Sequence, residues 1–214
     1  MPMKNDREYR NMMLSIETRA DGDEPEKETM VVSGYASTFE EPYTLYEDRD
    51  IIMREVVDKD AFSTTDMSDV IMQYDHQGRV IARNSNNTLE VAPDEKGLFI
   101  KADLSGTELG RELYEEIRGG YTDKMSFGFT IDKTERTRTD LDDGRIDVLI
   151  RILRVSKLYD VSAVSIPAND GTSISVSTRS QIDGVIEEVR AERLERAKLE
   201  LKKRLLKRGN ENDE

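Results

Sequence analysis

Cysteine and tryptophan are both absent from the 214 residues, and histidine occurs once. Without cysteine the chain can form no disulfide, no thiolate nucleophile and no Cys-ligated metal site, which is compatible with a reducing compartment. Any nucleophile must therefore be an oxygen or a nitrogen atom. If the chain is a hydrolase with a conventional imidazole base, that base has to be His76.

Long apolar runs are missing as well. A transmembrane helix needs about 20 consecutive apolar residues, and no such run occurs. The first residues, MPMKNDREYRNMM, are too polar for a secretory signal peptide. We therefore expect a protein that is soluble, stays inside the cell that makes it and has no membrane partner.

Excess positive charge is the third absence, since the formal net charge is −13 at pH 7. A nucleic-acid binder needs a basic face to displace the counterions of the phosphate backbone, so the charge argues against nucleic acid as a partner. Charged residues make up 36% of the chain and hydrophobic residues another 36%. This balance predicts one folded domain with polar segments outside its core.

Three segments can be distinguished along the chain. Residues 1–28 contain the acidic stretch Asp21–Glu26 and little apolar periodicity, which predicts a flexible leader. Residues 29–178 carry the strand-like and helix-like patterns of the folded domain. Residues 179–214 form a charged tail, whose apolar residues recur at three-four spacing from about Gln181 to Lys207. This spacing predicts a long charged helix that packs on its own domain or contacts a coiled-coil or scaffold partner.

The central segment is predicted to be α+β, with more strand than helix. The turn-rich Asp94–Gly97 predicts a β-hairpin between two apolar runs. Ser105–Glu108 has the spacing of a capping box, and Leu109, Leu113 and Ile117 recur every fourth residue, which predicts one amphipathic helix. Other runs rich in β-branched and aromatic residues predict strands at 30–38, 50–57, 69–74, 125–134, 145–155 and 158–166, with a polar loop between the first two.

Ser126 is the candidate nucleophile. It stands in KMSFGF, after a helix that ends at two glycines and at the start of an apolar strand. Nearby glycines let backbone N–H groups approach an oxyanion closely. A serine in such a strand is more often an ordinary strand residue, and a lone histidine is more often structural. The residues alone make Ser126 and His76 candidates and no more.

A serine nucleophile needs a base, and the base needs an oriented third group on its other ring nitrogen. Asp160 is a charge inside an otherwise apolar strand, where an unpaired carboxylate is costly. Asp75 and Asp123 are rivals, since they are close in sequence to the base and the nucleophile. Adjacent residues of a strand point to opposite faces, which weakens the case for Asp75. The third group stays open among these three on this reasoning.

The order of these motifs resembles the tailed-phage prohead maturation proteases. The resemblance extends from about Val32 to Ala168, nearly the whole predicted domain. Each motif is degenerate, and their common order and spacing carry the likeness. The motifs are Gly34-Tyr35-Ala36 with Phe39, Asp50-Ile51-Ile52, Ala61-Phe62, Tyr74-Asp75-His76, Gly97-Leu98-Phe99, Met125-Ser126-Phe127-Gly128-Phe129, Asp160-Val161-Ser162 and Ile166-Pro167-Ala168-Asn169.

The resemblance implies a fold and a set of site residues. The fold would be a β-barrel-like core of mostly antiparallel strands with surrounding helices, similar to the herpesvirus assemblins. The site would be a serine endopeptidase pair, His76 and Ser126, completed by Asp160 at the family's acidic position, where many relatives carry Glu. Gly128 would contribute an oxyanion contact, and Arg83 would contact the oxyanion directly or hold a water there. No metal or organic cofactor is called for.

The resemblance also implies partners and a location. The substrates would be the major capsid protein, scaffold segments and the protease itself during capsid maturation in a bacteriophage prohead, within the host bacterial cytoplasm. The leader and tail would be packaging contacts or self-cleaved regions, and a homodimer is left open. The alternatives are a non-enzymatic capsid scaffolding protein, which the charged helix and acidic body would also suit, and another serine hydrolase such as an esterase.

Overall fold

The computed structural model describes residues 7–12, 17–19, 30–165 and 176–210. The chain divides into two compact units, Met1–Ser175 and Val176–Glu214. In chain order the strands are β1 (Glu8–Met12), β2 (Glu17–Arg19), β3 (Val31–Thr38), β4 (Tyr43–Glu47), β5 (Ile51–Val57), β6 (Ile71–Tyr74), β7 (Gln77–Arg83), β8 (Leu89–Pro93), β9 (Gly97–Asp103), β10 (Lys124–Asp140) and β11 (Ile146–Val164), and the helices are α1 (Glu108–Arg118) and α2 (Val176–Asn210).

The larger sheet of the first unit is built around β11. Its order is β1-β10-β11-β5-β4, and the β6–β7 hairpin joins it through β6. The first part of β11 pairs in parallel with β5, and its last part pairs in parallel with β6. Along its other edge β11 is antiparallel to β10. This central strand therefore fixes β10 and the β6–β7 hairpin relative to each other.

The smaller sheet has the order β2-β3-β9-β8, and one hydrophobic core joins it to the larger sheet and to α1. Val32 and Ile100 enter this core from the smaller sheet, Phe127 and Phe129 from β10, and Leu113 from α1. The Phe127 and Phe129 rings stack with centroids 4.5 Å apart. Residues two apart on a strand share a face, so Ser126 and Gly128, which alternate with these two phenylalanines along β10, are directed to the opposite face.

Helix α1 begins at a different cap from the one the sequence predicts. Thr107 is the N-cap, and its Oγ1 accepts a hydrogen bond of 2.9 Å from the Gly110 backbone N–H. Ser105 instead bonds to Asp103. Leu113 and Ile117 are buried as expected, but Leu109 is exposed, so it does not belong to the core-facing stripe.

The α+β class is confirmed, as are the β8–β9 hairpin and the helix after it. Within the described residues neither sheet closes on itself, and the barrel-like, assemblin-like core is not confirmed. The segments 145–155 and 158–166, predicted as two strands, are largely one continuous strand, β11. Strands β4 and β7 are not among the predicted strands, and the predicted flexible leader, residues 1–28, contains β1 and β2. Both leader strands are held by pairing with β10 and β3.

The second unit holds the helix α2, of 35 residues. Its exposed face carries ion pairs one turn apart, Lys198 with Glu195 and Lys203 with Glu200. The prediction of a long charged helix is confirmed, and its predicted role as a scaffold contact stays a prediction. In the portion of the chain with described coordinates, neither helix has an apolar stretch long enough to cross a bilayer.

Candidate active site

His76 lies in the two-residue turn between β6 and β7. Asp75 and His76 both have positive φ, 47° and 56°, and Tyr74 pairs with Gln77 across the turn. This is the backbone of a type I′ hairpin turn, which usually carries Asn-Gly because both positions are left-handed. Asp and His are among the residues that tolerate this conformation best, at a cost of roughly 1 kcal/mol each. The turn therefore keeps an imidazole where a glycine would be easier to accommodate.

Asp75 fixes this turn to the end of β11. Its backbone N–H donates to the Ala163 carbonyl at 2.9 Å, and its carboxylate accepts from the Ser165 N–H at 3.0 Å and the Ser165 Oγ at 2.9 Å. Asp75 therefore orients the hairpin that bears His76. The structure does not place it on the imidazole.

His76 connects Ser126 to Asp160. Its Nε2 is 2.6 Å from Ser126 Oγ, and its Nδ1 is hydrogen-bonded to Asp160 Oδ1. Because a carboxylate can only accept, Nδ1 carries the proton in the neutral ring and Nε2 is free to accept from the serine hydroxyl. Ser126 Oγ is also 3.0 Å from the Arg10 carbonyl oxygen. The single hydroxyl hydrogen of Ser126 thus has two acceptors, Nε2 and the Arg10 carbonyl.

Asp160 is a buried carboxylate on β11, with a side chain 4% exposed. Its Oδ1 also accepts a 3.0 Å hydrogen bond from Ser162 Oγ, two residues along on the same strand. Opposite Asp160 on β10 lies Gly128. A Cβ atom at Gly128 would be 2.3 Å from Asp160 Oδ2 and 2.8 Å from Tyr9 Cε1. Glycine at this position leaves the space that the carboxylate and the Tyr9 ring occupy.

Strand β1 lies along the outer edge of β10 and covers Ser126. Asn11 pairs with Ser126, and Tyr9 pairs with Gly128. The Tyr9 ring meets the His76 imidazole edge to face, with centroids 4.5 Å apart. Ser126 is fully buried, and the His76 side chain is 16% exposed. Neither Tyr9 nor Arg10 is a site candidate in the sequence, because a short strand in a polar segment has no periodic signal.

A buried charge cluster lies on the other side of β1. Arg10 Nε donates to Glu55 Oε1 at 2.5 Å, its second nitrogen to Oε2 at 2.9 Å and its third to Glu8 at 2.9 Å. The Tyr43 hydroxyl donates to the same Glu55 carboxylate, and the Phe129 ring lies 5.7 Å from the guanidinium. Burial by itself would lower the pKa of Arg10, but the charge of Glu55 and the hydrogen bond to it raise the pKa above its ordinary value.

Two other predicted residues lie elsewhere. Arg83 ends β7, and its guanidinium Nε is bonded to Asp69 at 2.6 Å. A second guanidinium nitrogen contacts the same carboxylate, and none of the described contacts of Arg83 is with His76, Ser126 or Asp160. Asp123 is exposed just before β10, with its carboxylate 3.9 Å from Lys124 Nζ. Neither side chain joins the His76 cluster.

A surface cleft lies between β7 and α1, next to the turn that bears His76. Its lining includes Tyr74, Asp75, Ile81 and Glu112, but not Ser126, His76 or Asp160. Across the residues with described positions, no three His, Asp or Glu side chains are grouped so as to hold a metal ion.

This constellation can perform acyl transfer, since a hydroxyl, an accepting imidazole nitrogen and a buried carboxylate are aligned in order. Searches among curated proteins and among solved structures gave no match. The family model described as caudovirus prohead serine protease matches residues 15–185, which is more than half of the chain and includes all three side chains. The chain belongs to the caudovirus prohead serine protease family.

Proposed function

We propose that this chain is a serine endopeptidase that cleaves capsid protein, scaffold segments and itself inside the assembling prohead. Family membership supports a phage prohead protease with capsid proteins as substrates. The observation that carries the assignment of roles is the 2.6 Å contact between His76 Nε2 and Ser126 Oγ, with His76 Nδ1 held by Asp160. Ser126 is the nucleophile, His76 the general base and Asp160 the group that orients the imidazole.

The proposed reaction proceeds through an acyl-enzyme. His76 Nε2 takes the hydroxyl proton as Ser126 Oγ attacks the substrate carbonyl carbon, and the Asp160 carboxylate stabilises the imidazolium that forms. Collapse of the tetrahedral intermediate breaks the C–N bond, and the leaving amine takes the proton from His76. Water then attacks the ester carbonyl, with His76 again as base, and releases the new carboxyl terminus and the free serine.

Gly128 as an oxyanion contact stays a prediction, and the geometry supports a second role for it, namely leaving room for Asp160 and Tyr9. Arg83 is not part of the proposed site, because its guanidinium is engaged in an ion pair with Asp69.

Confinement in the prohead supplies a high effective concentration of substrate. An enzyme enclosed with many copies of its substrate does not need tight binding at each cleavage site. The leader and the charged tail would act there as packaging contacts or as sites of self-cleavage. The proposed location is therefore the interior of the prohead in the host bacterial cytoplasm.

Incubating the purified chain with its capsid precursor tests this function. We expect fragments from the wild-type protein, none from Ser126→Ala, and unchanged cleavage from the control Ser63→Ala, which alters an exposed serine. An intact precursor in every reaction would favour the scaffolding alternative, and hydrolysis of small esters without protein cleavage would favour an esterase. Mass spectrometry of wild-type and Ser126→Ala protein after expression tests self-cleavage, because trimming by the chain itself should disappear in the variant.

A further inference from the structure

The strand that covers Ser126 lies where an extended peptide can bind. A peptide next to the outer edge of β10 would present a carbonyl to Ser126 Oγ, as β1 does with the Arg10 carbonyl. Strand β1 fills this edge as an antiparallel partner over five residue pairs, from Glu8 with Phe129 to Met12 with Met125. Addition of a strand to a sheet edge is a general mode of peptide recognition. Strand β1 therefore occupies the place of a bound peptide.

The carbonyl next to the nucleophile belongs to Arg10. Its oxygen accepts from Ser126 Oγ at 3.0 Å, so it competes with His76 Nε2 for the one hydroxyl hydrogen. With β1 in place, Ser126 is inaccessible to solvent. The observed arrangement is therefore a closed state, in which the hydroxyl is held by the covering strand.

The Arg10 side chain anchors this strand. It is 5% exposed and makes a two-pronged contact with Glu55, while the Tyr43 hydroxyl also binds the Glu55 carboxylate. Two-pronged geometry suits a guanidinium better than an ammonium. If β1 left, Glu55 would be a carboxylate in a largely buried pocket without its cation, which is costly. A peptide that replaces β1 would need to bring a cation to the same place.

Strand β1 is also separate from the family domain. The family match begins at residue 15, after β1 ends at Met12, whereas Glu55, Ser126 and Phe129 all lie inside it. Strand β1 is an edge strand of only five residues, and within the sheet it pairs with β10 alone. Glu55 is thus part of the matched domain, and an edge strand can leave a sheet without separating the strands that remain.

We propose that β1 is an internal pseudosubstrate and that the Arg10 pocket is the specificity pocket of the protease. The pocket takes an arginine, and less well a lysine, of an extended peptide. Because the Arg10 carbonyl lies next to Ser126, the basic residue provides the acyl group, and cleavage follows it on the carboxyl side. The chain is latent while β1 is docked and active when a substrate displaces it. This proposal rests on the proposed function.

Peptide hydrolysis by the full chain tests the pocket. The substrates are one fluorogenic peptide series that differs only in Arg, Lys, Ala or Glu before the scissile bond. We expect kcat/KM for the Arg peptide to exceed that for the Ala peptide by about 100-fold or more, because a pocket built for a charged partner discriminates strongly against its absence. In Glu55→Gln the ratio should fall to less than about tenfold. The ratio within one variant does not depend on how firmly β1 is docked.

Covalent labelling of Ser126 by a fluorophosphonate tests whether β1 shields the serine from reagents in solution. Arg10→Ala should raise the labelling rate by about tenfold or more, since loss of a buried ion pair weakens docking of β1. Arg54→Ala is the matched control, because Arg54 makes a similar two-pronged contact with Asp147 in the same sheet away from Ser126. It should leave the rate unchanged. If Arg10→Ala fails to fold, Asn11→Pro serves in its place, because proline weakens the pairing of β1 with β10 and leaves the contact between Arg10 and Glu55 in place.

The outcomes of these experiments distinguish a failure of this proposal from a failure of the proposed protease function. If Ser126 is labelled and the chain hydrolyses Arg and Ala peptides equally well, the protease assignment stands and the assignment of the specificity pocket is wrong. If Ser126 is labelled at the wild-type rate in both folded variants, Arg10→Ala and Asn11→Pro, then β1 does not shield Ser126. If peptides are cleaved equally by Ser126→Ala, the nucleophile itself is misassigned. A synthetic EYRNM peptide should inhibit the folded Arg10→Ala or Asn11→Pro variant, and EYANM should not.

Discussion

Gly128 on β10 lies directly opposite Asp160 on β11, and a methyl group on Gly128 would come within 2.3 Å of Asp160 Oδ2. The carboxylate that holds His76 thus occupies space left by a missing side chain. The lack of a side chain at Gly128 therefore determines where the Asp160 carboxylate can lie.

Gly128→Ala should therefore impair catalysis more than folding. Displacing the carboxylate moves it off His76 Nδ1, so we expect kcat/KM to fall by about 100-fold or more, with a loss of unfolding free energy of about 1–3 kcal/mol from overpacking. Peptide hydrolysis and urea denaturation measure the two effects. Gly106→Ala is the control, because no atom lies within 4 Å of its added Cβ. Full activity in Gly128→Ala would show that the carboxylate position is not critical.

Asp160→Asn should lower kcat by about 10³- to 10⁴-fold, because an amide does not stabilise the imidazolium and can hold the ring in the wrong tautomer. Asp75→Asn is the matched control. Asn tolerates the left-handed turn, and Asp75 contacts Ser165 instead of the imidazole, so its kcat should stay within about tenfold of the wild-type value. A larger loss in Asp75→Asn than in Asp160→Asn would reverse the assignment of the third residue.

Ser162→Ala removes the 3.0 Å hydrogen bond to Asp160 Oδ1. Loss of a hydrogen bond to a charged group costs about 1.5–3 kcal/mol, so kcat should fall roughly tenfold or more. KM should not change, since Ser162 positions the carboxylate and does not contact the substrate. Ser162→Thr, which keeps the hydroxyl, should recover most of the rate. Equal kcat in the Ala and Thr variants would mean that the hydroxyl plays no part.

Tyr43 should make the stability of the fold sensitive to alkaline pH. Burial and the negative charge of Glu55 raise the pKa of Tyr43 well above its ordinary value. The unfolded chain ionises this tyrosine near pH 10, so its contribution is complete below pH 10 and declines above it, by up to about 1.4 kcal/mol per pH unit. Urea unfolding between pH 8 and 11 should show a steeper decline for the wild type than for Tyr43→Phe. Tyr121→Phe, at an exposed residue, should follow the wild type.

The three residues that the structure brings together at the candidate site stand out in the sequence because each breaks its local pattern. His76 is the sole imidazole, Ser126 is a hydroxyl in an apolar strand, and Asp160 is a charge in another. Glu55, in IIMREVV, is likewise a charge in a largely apolar strand. Its importance depends on Arg10, which lies 45 residues away in the chain.

The elements that could not be predicted are those stabilised by pairing. Strand β7 is mostly exposed, and the five residues of β4 include no buried one, so neither shows the alternation that predicts a half-buried strand. Strand β1 lies in a segment whose composition predicts disorder, and it is ordered by β10. The bulges along β10 and the continuity of β11 also depend on the register between the strands, which no single segment encodes.

Ser126 and Asp160 lie on one hairpin, β10–β11, while His76 lies on another, β6–β7. The two hairpins share one sheet, because β6 pairs with β11 and Asp75 binds Ala163 and Ser165. The distance from the imidazole to the other two groups therefore depends on the hydrogen bonds of that sheet. Thermal loss of activity should accordingly coincide with the loss of the strand signal in circular dichroism.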